Sequence, residues 1–459
     1  MAAVTAINSL ADERSGRATQ ALIGFREDMY DSFDKRADAL FELTDALLCA
    51  PAVPSIAHLS LEGVFRRSYG SAYGALVDGE IDETAIWNLL AKHPLTDGPP
   101  VFALDESVMP RRYSECSADR EFHHSSKLQT GGHPVVAGWS YQWTNQINPY
   151  TGDSWTAPIH VARVTPDQKP NDVAVDQILQ TIRRLECRDV PLFVLDAGYS
   201  PVRIAMGLGD AGAQLLVRVR DDRVLYRDPP PQQGPRGRGR PTKHGDRFSC
   251  ADEKTWGAAP ANLVIENDET YGQVQVDAWS GLHAKDHGPD GQSIKATLIR
   301  VQVEHLSRGR QGPRPLWLWW SGHGELDLDL VWRAYMHRFD IEHTFRFYKG
   351  HLGWDVPAVM TPEQVDRWTI LVAVAHRQIQ LAQGLAQDLR LPWERKAKVT
   401  LTPGRLKRDF PRLLSYVGTP ASPPKFCKPG PGRPKGSKST PATRFPVITK
   451  DTLVDAEAD

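Results

Sequence analysis

Four polar residues on one stretch of chain, Tyr335, Arg338, Glu342 and Lys349, have types and spacing suited to handling a phosphate ester. The stretch, LDLVWRAYMHRFDIEHTFRFYKGHLGW (328–354), is free of Gly and Pro from Leu328 to Lys349. That predicts a helix of about six turns. At roughly 100° per residue the four side chains fall near 0°, −60°, −20° and −40°, a stripe roughly 60° wide. Glu342 is the only carboxylate on that stripe, with cations about one turn before it and about two turns after. A carboxylate between cations suits a metal ligand whose neighbours hold phosphates. A solvated, salt-bridged helix face has the same composition.

The spacing Tyr335-x2-Arg338-x3-Glu342-x6-Lys349 resembles the Tyr-Arg-Glu-Lys signature of DDE transposases of insertion sequence family 4 and its relatives. The resemblance implies that Glu342 is the third acid of a catalytic triad and that two aspartates lie upstream, each at the end of a buried strand. VFALD (101–105) ends in Asp105, and PLFVLDAGYS (191–200) carries Asp196 directly after an apolar run. An Asp after a strand also serves as a turn former or helix N-cap; agreement of both positions with the helix face is what favours catalysis. As the resemblance has it, Asp105, Asp196 and Glu342 are the catalytic and metal-binding acids, Asp105 bridging two ions and the others holding one each. The ions are Mg²⁺ or Mn²⁺. Arg338 and Lys349 would contact phosphates, and Tyr335 would hydrogen-bond to one. Mg²⁺ takes hard carboxylate oxygens, and two such ions about 3.5–4 Å apart activate a nucleophile and stabilise a leaving oxygen.

The same resemblance implies metal-dependent DNA strand cleavage and strand transfer, the cut-and-paste transposition of an insertion sequence. Its partners would be double-stranded DNA, as transposon ends and target, and a second copy of the chain in a synaptic complex. It places the chain in a prokaryotic cytoplasm, associated with the nucleoid. Two other readings stand beside it: a domesticated or repair-type metal-dependent nuclease on the same fold, and a non-catalytic DNA-binding regulator. The complete triad speaks against the regulator.

The elements that must position these acids can be traced along the chain. Ala18–Leu48 shows one continuous helical pattern, followed by further helical sets at Ile56–Tyr73 and from Asp82, a plausible N-cap, to Lys92. FRRSYGSAYGALVDG, with Arg66, Arg67, Tyr69 and Tyr73, suits either a DNA contact or a packed bundle. Strand-like runs follow at 101–105, 134–143 and 156–165, then a helix at Asp172–Glu186, a strand at 191–196, a helix at Val202–Leu208 and a strand at 213–220. That order is the order of a ribonuclease H-like fold. The expected class is therefore α/β: a ribonuclease H-like catalytic core with a β-rich insertion, preceded by an N-terminal helical domain. The boundaries read as 1–95 helical, with DNA-end binding as a candidate role, 96–220 first part of the core, 221–325 insertion, 326–395 C-terminal core helices, and 396–459 a basic, partly disordered tail. The connection between 220 and 328 is too long for a plain loop, and its strand-like pieces DRVLYRD, YGQVQVDAWS, ATLIRVQVEHL and PLWLWWSG resemble the insertion that many such transposases carry. Pro362–Ala386 reads as a strongly apolar helix behind the catalytic one.

Candidate DNA contacts outside the triad are cationic. His123, His124 and Lys127 follow the first Asp in a polar loop. GPRGRGRPTKHGDRF carries Arg236, Arg238, Arg240 and Lys243 around a Gly-Arg-Pro core similar to a minor-groove AT-hook, and KFCKPGPGRPKGSK repeats the theme with Arg433 and Lys435. A solvated disordered segment has the same composition. Net charge is −1, so polyanion binding is not written in the whole chain, but residues 396–450 hold thirteen Lys or Arg against one acid, Asp409. Five tryptophans fall in the insertion, Trp256, Trp279, Trp317, Trp319 and Trp320. An aromatic there stacks on a flipped base in relatives, although core packing is the commoner fate of each. The five scattered cysteines form no CxxC pair and read as reduced thiols. No apolar run reaches the roughly 20 residues of a membrane span.

Overall fold

A computed structural model describes residues 2–96, 98–125, 134–185, 189–231, 242–287, 293–306, 312–396, 400–425, 432 and 434–449. The helical pattern of the first fifty residues is interrupted. Helix α1 (Ala2–Asp31) gives way to a short strand β1 (Phe33–Lys35), and Arg36, in a left-handed conformation with φ 60°, precedes α2 (Ala37–Cys49). The Phe33–Lys35 backbone pairs with β2 (Glu80–Ile81) after α3 (Ile56–Leu59) and α4 (Tyr69–Asp78), a distant partner that helical periodicity does not reveal. Asp82 caps α5 (Glu83–Ala91), its carboxylate accepting from the Ala85 amide at 2.9 Å. Helix α2 is buried along Ala39–Leu48, acids included. Glu42 there meets Arg66 at 2.6 Å and Arg67 at 2.5 Å, so these two arginines serve an internal ion-pair network.

The apolar runs carrying the aspartates become adjacent strands at the middle of a large mixed sheet. In chain order come β3 (Val101–Pro110), β4 (Glu121–His124), β5 (Val135–Ile147), β6 (Thr156–Val164), α6 (Pro170–Arg184), β7 (Leu192–Leu195), α7 (Pro201–Leu208) and β8 (Gln214–Val219). Strands β3, β7 and β8 are parallel neighbours, β5 lies antiparallel to β3 on the other side, and β6 pairs with β5. This mixed α/β arrangement is consistent with a ribonuclease H-like nuclease core. The stretch containing His123 and His124, expected as a loop, forms edge strand β4 against β5.

The segment read as an insertion adds β9 (Val224–Tyr226), β10 (Arg247–Ser249), β11 (Ala261–Asp268), β12 (Gly272–His287), β13 (Ser293–Val303) and β14 (Leu316–Gly322). They continue the central sheet, because β14 runs antiparallel to β8, β13 to β14 and β12 to β13. Trp279, Trp317 and Trp319 are buried. Trp256 stacks edge-on against Trp317 at 5.1 Å, and both Trp256 and Trp320 are half-buried, so these rings serve first as core.

The stretch from Leu328 to His351 is two helices where the sequence predicts one. Helix α8 (Leu328–Arg338) stops at Phe339 and α9 (Asp340–His351) begins beyond it. The turn tightens there, with the Glu342 amide donating to the Phe339 carbonyl at 3.1 Å. Across that turn the side chains of His337 and Asp340 pair, with His337 Nδ1 2.7 Å from the Asp340 carboxylate. Helix α10 (Pro362–Leu381) is buried from Trp368 to Ile379 and packs on α2 and β6. The basic stretch at 405–412, expected in the tail, lies in an amphipathic helix, α11 (Pro403–Val417), which seats Leu406, Phe410 and Leu413 in the core. Further on, Phe445 and Ile448 donate backbone bonds to the Glu115 and Arg120 carbonyls at 2.8 and 2.7 Å, tying that segment beside β4. Part of the expected disordered stretch, 426–431 and 433, lies outside the described residues.

Candidate active site

Register sets the two aspartates level. Val101, Phe102 and Ala103 of β3 pair with Leu192, Phe193 and Val194 of β7, and continuing that register by two positions brings Asp105 beside Asp196. Side chains alternate along a strand, and Val101, Ala103 and Val194 belong to the core shared with α8 and α9, so both aspartates face those helices. Phe102, Leu104, Phe193 and Leu195 point the other way, into the layer under α6 and α7.

From α8, Arg338 reaches down to this pair. Its Nη1 donates to Asp105 Oδ2 at 2.8 Å, and its Nη2 stands 4.0 Å from Glu342 Oε1. The guanidinium therefore lies between the first aspartate and the glutamate, and Tyr335 lies under it with its ring centre 5.9 Å away. Burial opposes the charge of Arg338, but Asp105, Tyr335 and Asp196 outweigh it and hold its pKa above the ordinary value. Asp105 behaves in the opposite sense. Burial is the main influence, Arg338 counteracts it, and Asp196 adds repulsion, leaving its carboxyl pushed up to about 6. It is still largely ionised at neutral pH.

The remaining expected residues divide. Tyr335 is buried, which pushes its phenol pKa up, and the charges of Arg338 and of Arg218 of β8, a cation that sequence patterning does not single out, oppose that shift. Lys349 lies farther along α9 with its ammonium 5.4 Å from the Trp354 ring centre, and burial lowers its pKa. Glu342 is half-exposed. His123 is half-buried, with Nε2 3.3 Å from the Gly138 carbonyl, while His124, Lys243 and Lys435 are exposed. Lys127, Arg236, Arg238, Arg240 and Arg433 lie outside the described residues.

Two further groups crowd the aspartates. Glu106, next on β3, turns to the opposite face, where Ser140 Oγ donates to its Oε2 at 3.0 Å. Burial raises its pKa, and Asp196 contributes. Tyr199, three residues after Asp196, is buried within reach of the same charges. Closeness in sequence to Asp105 or Asp196 is the only sequence signal for either, and apolar patterning gives it no weight.

The family model described as DDE superfamily endonuclease matches residues 28–285, more than half of the chain. The chain belongs to the DDE superfamily endonucleases. The match includes both aspartates and ends before α8. No curated protein matches. Among solved structures, the piggyBac transposase synaptic complex with hairpin DNA is similar with a TM-score of 0.40 and 9% identity, over 83% of this chain and 71% of that one.

DDE superfamily endonucleases generally use divalent metal ions, and the donors present suit one. Asp105 and Asp196 offer hard carboxylate oxygens side by side, and their mutual repulsion with burial is what a cation relieves. Among the described residues no three His, Cys, Asp or Glu side chains already stand as a closed metal cage. At Asp105, the positive partner is Arg338. No helix of the described residues is long and apolar enough to cross a membrane.

Proposed function

We propose that this DDE superfamily endonuclease is a transposase that cleaves DNA strands and transfers them to a target, acting on double-stranded DNA as a dimer bridging two ends. The observation that carries the reading is the level placement of Asp105 and Asp196 on parallel neighbours, with Arg338 and Glu342 over them. Asp105, Asp196 and Glu342 would hold the divalent ions, Mg²⁺ or Mn²⁺, which supply Lewis-acid activation of the attacking oxygen and stabilisation of the leaving one. The chain's own residues do the rest. Arg338, charged throughout the accessible pH range, holds Asp105 in place and offers its remaining N–H groups to a phosphate. Arg218, whose charge is felt by Tyr335, and the Tyr335 hydroxyl can orient a neighbouring phosphate. Lys349, seated on Trp354 two turns along from Glu342, carries positive charge farther along the strand path. Asp105, buried and repelled by Asp196, keeps a carboxylate whose charge is poorly compensated until a cation arrives.

The test is cleavage and joining of a duplex carrying the flanking ends of the element, with Mg²⁺ or Mn²⁺. Asp105→Asn and Asp196→Asn should each remove both reactions while leaving duplex binding within a few-fold of wild type. Cleavage by Asp105→Asn at a rate comparable to wild type would end the assignment. Cleavage without joining, under conditions where target DNA is present, would instead favour a nuclease that performs hydrolysis alone.

A further inference from the structure

Three buried polar residues, Asn145, Thr156 and Thr344, join β5, β6 and α9 by a chain of hydrogen bonds. Asn145 Nδ2 donates to Thr156 Oγ1 at 3.0 Å, and Thr156 Oγ1 lies 2.8 Å from Thr344 Oγ1. Thr344 Oγ1 donates to the Asp340 carbonyl at 3.1 Å. A hydroxyl carries one hydrogen. Thr344 gives its own to Asp340, so the hydrogen between the two threonines is that of Thr156. The chain therefore runs one way, from Asn145 through both hydroxyls to the first turn of α9. Each hydroxyl donates once and accepts once, and a buried polar network satisfied in this way rigidifies what it joins.

The turn it reaches is the one that carries Glu342. Helix α9 does not continue α8, which stops at Phe339 and is tied separately by Arg338 to Asp105. Glu342 must take its aim from the contacts of α9 itself. At about 100° per residue, Thr344 stands about 160° round the helix from Glu342. The threonine thus anchors the back of a turn whose front presents the carboxylate to Arg338, 4.0 Å away. Ile341, Phe345 and Phe347, also buried on α9, are apolar. Apolar contact is non-directional, and a helix seated on it alone can rotate about its axis. A carboxylate about 6 Å from that axis swings about 1 Å for a rotation of about 10°. A misplacement of about 1 Å costs about 10²-fold in a reacting geometry.

We propose that Thr156 is a positioning residue for Glu342. Its hydroxyl, held by Asn145, fixes the rotation of α9 through Thr344 and so sets where the Glu342 carboxylate stands relative to Asp105 and Asp196. Packing in a buried strand is served as well by valine, which has the same branched shape; the hydroxyl adds direction. Hydrogen bonds outside the ligands themselves tune metal affinity by roughly 10–100-fold. The inference rests on the reading of Glu342 as a cation ligand.

The experiment titrates Mn²⁺ into the purified full-length chain without DNA, following free Mn²⁺ by electron paramagnetic resonance. It compares wild type, Thr156→Val, Thr156→Ser, Thr344→Val and Glu342→Gln, with a metal-free thermal melt of each. Thr156→Val keeps the shape and leaves Thr344 free to donate to Asp340. It should bind Mn²⁺ roughly ten-fold more weakly than wild type, and Thr156→Ser should return to within three-fold. Thr344→Val breaks the same bond from the helix side and should match Thr156→Val; it decides in its place if Thr156→Val does not fold. If Glu342→Gln binds Mn²⁺ weakly while Thr156→Val stays within two-fold of wild type, only the role of Thr156 falls. A Thr156→Ser protein as weak as Thr156→Val would also overturn it, by showing that the methyl group matters and the hydroxyl does not. Loss of a cooperative melt in both valine variants would do the same, since the hydroxyls would then hold the fold itself. If wild type takes up no Mn²⁺, or Glu342→Gln binds as well as wild type, the ligand reading of Glu342 and this inference fall together.

Discussion

Asp105 shows how the fold stores unfavourable electrostatics at one atom group. Its side chain is 17% exposed and faces a second aspartate, so the folded protein holds its proton up to about pH 6, against an ordinary value of 3.8. Between those values the native state binds more protons than the unfolded chain, so stability falls as pH rises. The contribution is fully present below about pH 4 and lost by about pH 6, worth about 3 kcal/mol across the interval at 1.36 kcal/mol per pH unit. Other raised acids, Glu106 and Asp366 among them, titrate in the same direction, so the informative quantity is a difference. Urea melts of metal-free protein at pH 4, 5, 6 and 7 should show wild type losing more stability over that range than Asp105→Asn does. Parallel pH curves for the two proteins would mean that Arg338 compensates Asp105 fully. At this scale the sequence reveals an acid that follows an apolar run, but it does not reveal which neighbouring charges face it. Arg338 reads from sequence as a phosphate contact; in the folded chain it also holds the first aspartate.

Among the elements, the legible ones are those whose patterning is local. The runs at 101–104 and 191–195 are apolar throughout because both faces of a central strand are covered, so their strand character and the acids that follow them, Asp105 and Asp196, can be read directly. The break at Phe339 could not be read, because it is a single tightened turn with no Gly or Pro to mark it. Strands β1 and β4 escaped for a related reason: each is short and exists by pairing with a segment distant in the chain or at the sheet's edge. The continuation of the sheet through β14 could not be read either, since strand order is not a local property. What seats α9 is also non-local. Trp354, fully buried, packs on Trp143 at 5.6 Å, donates Nε1 to Thr369 Oγ1 at 2.9 Å and supports the Lys349 ammonium. Trp354→Ala should therefore cost about 3–5 kcal/mol in a denaturant melt. Trp393→Ala, at a ring 79% exposed, should stay within about 0.5 kcal/mol of wild type. Equal losses for the two would show that α9 is not held by this contact.

Over the whole molecule, charge is separated where its sum is nearly zero. A net of −1 conceals a C-terminal region whose cations outnumber acids thirteen to one between 396 and 450. Folding removes part of that excess from circulation: Arg408 grips Glu394 at 2.6 Å, Arg412 holds Asp409 within α11, and Lys407 is buried against the Ala50 carbonyl. Cations of the segments beyond the helix are freer. Lys425, Lys435 and Lys438 are exposed and make no ion pair among the described residues. Residues 445–448 hold the chain beside β4, next to His123 and His124, so these lysines are tethered at both ends to the body that carries the acids. If the substrate is duplex DNA, they are placed to neutralise phosphates without touching the chemistry. Each phosphate left without its lysine should make log K against log salt shallower by about 0.9. Replacing the three lysines together by glutamine should flatten the slope by up to about 2.7 and leave the anchoring backbone bonds intact. The weakening should be nearly equal for end-containing and random duplexes, since phosphate contacts position DNA without reading its sequence. Binding titrations at four or more salt concentrations decide the matter. An unchanged slope would assign these lysines to solubility alone, and a weakening confined to end-containing duplexes would mean that they contact bases.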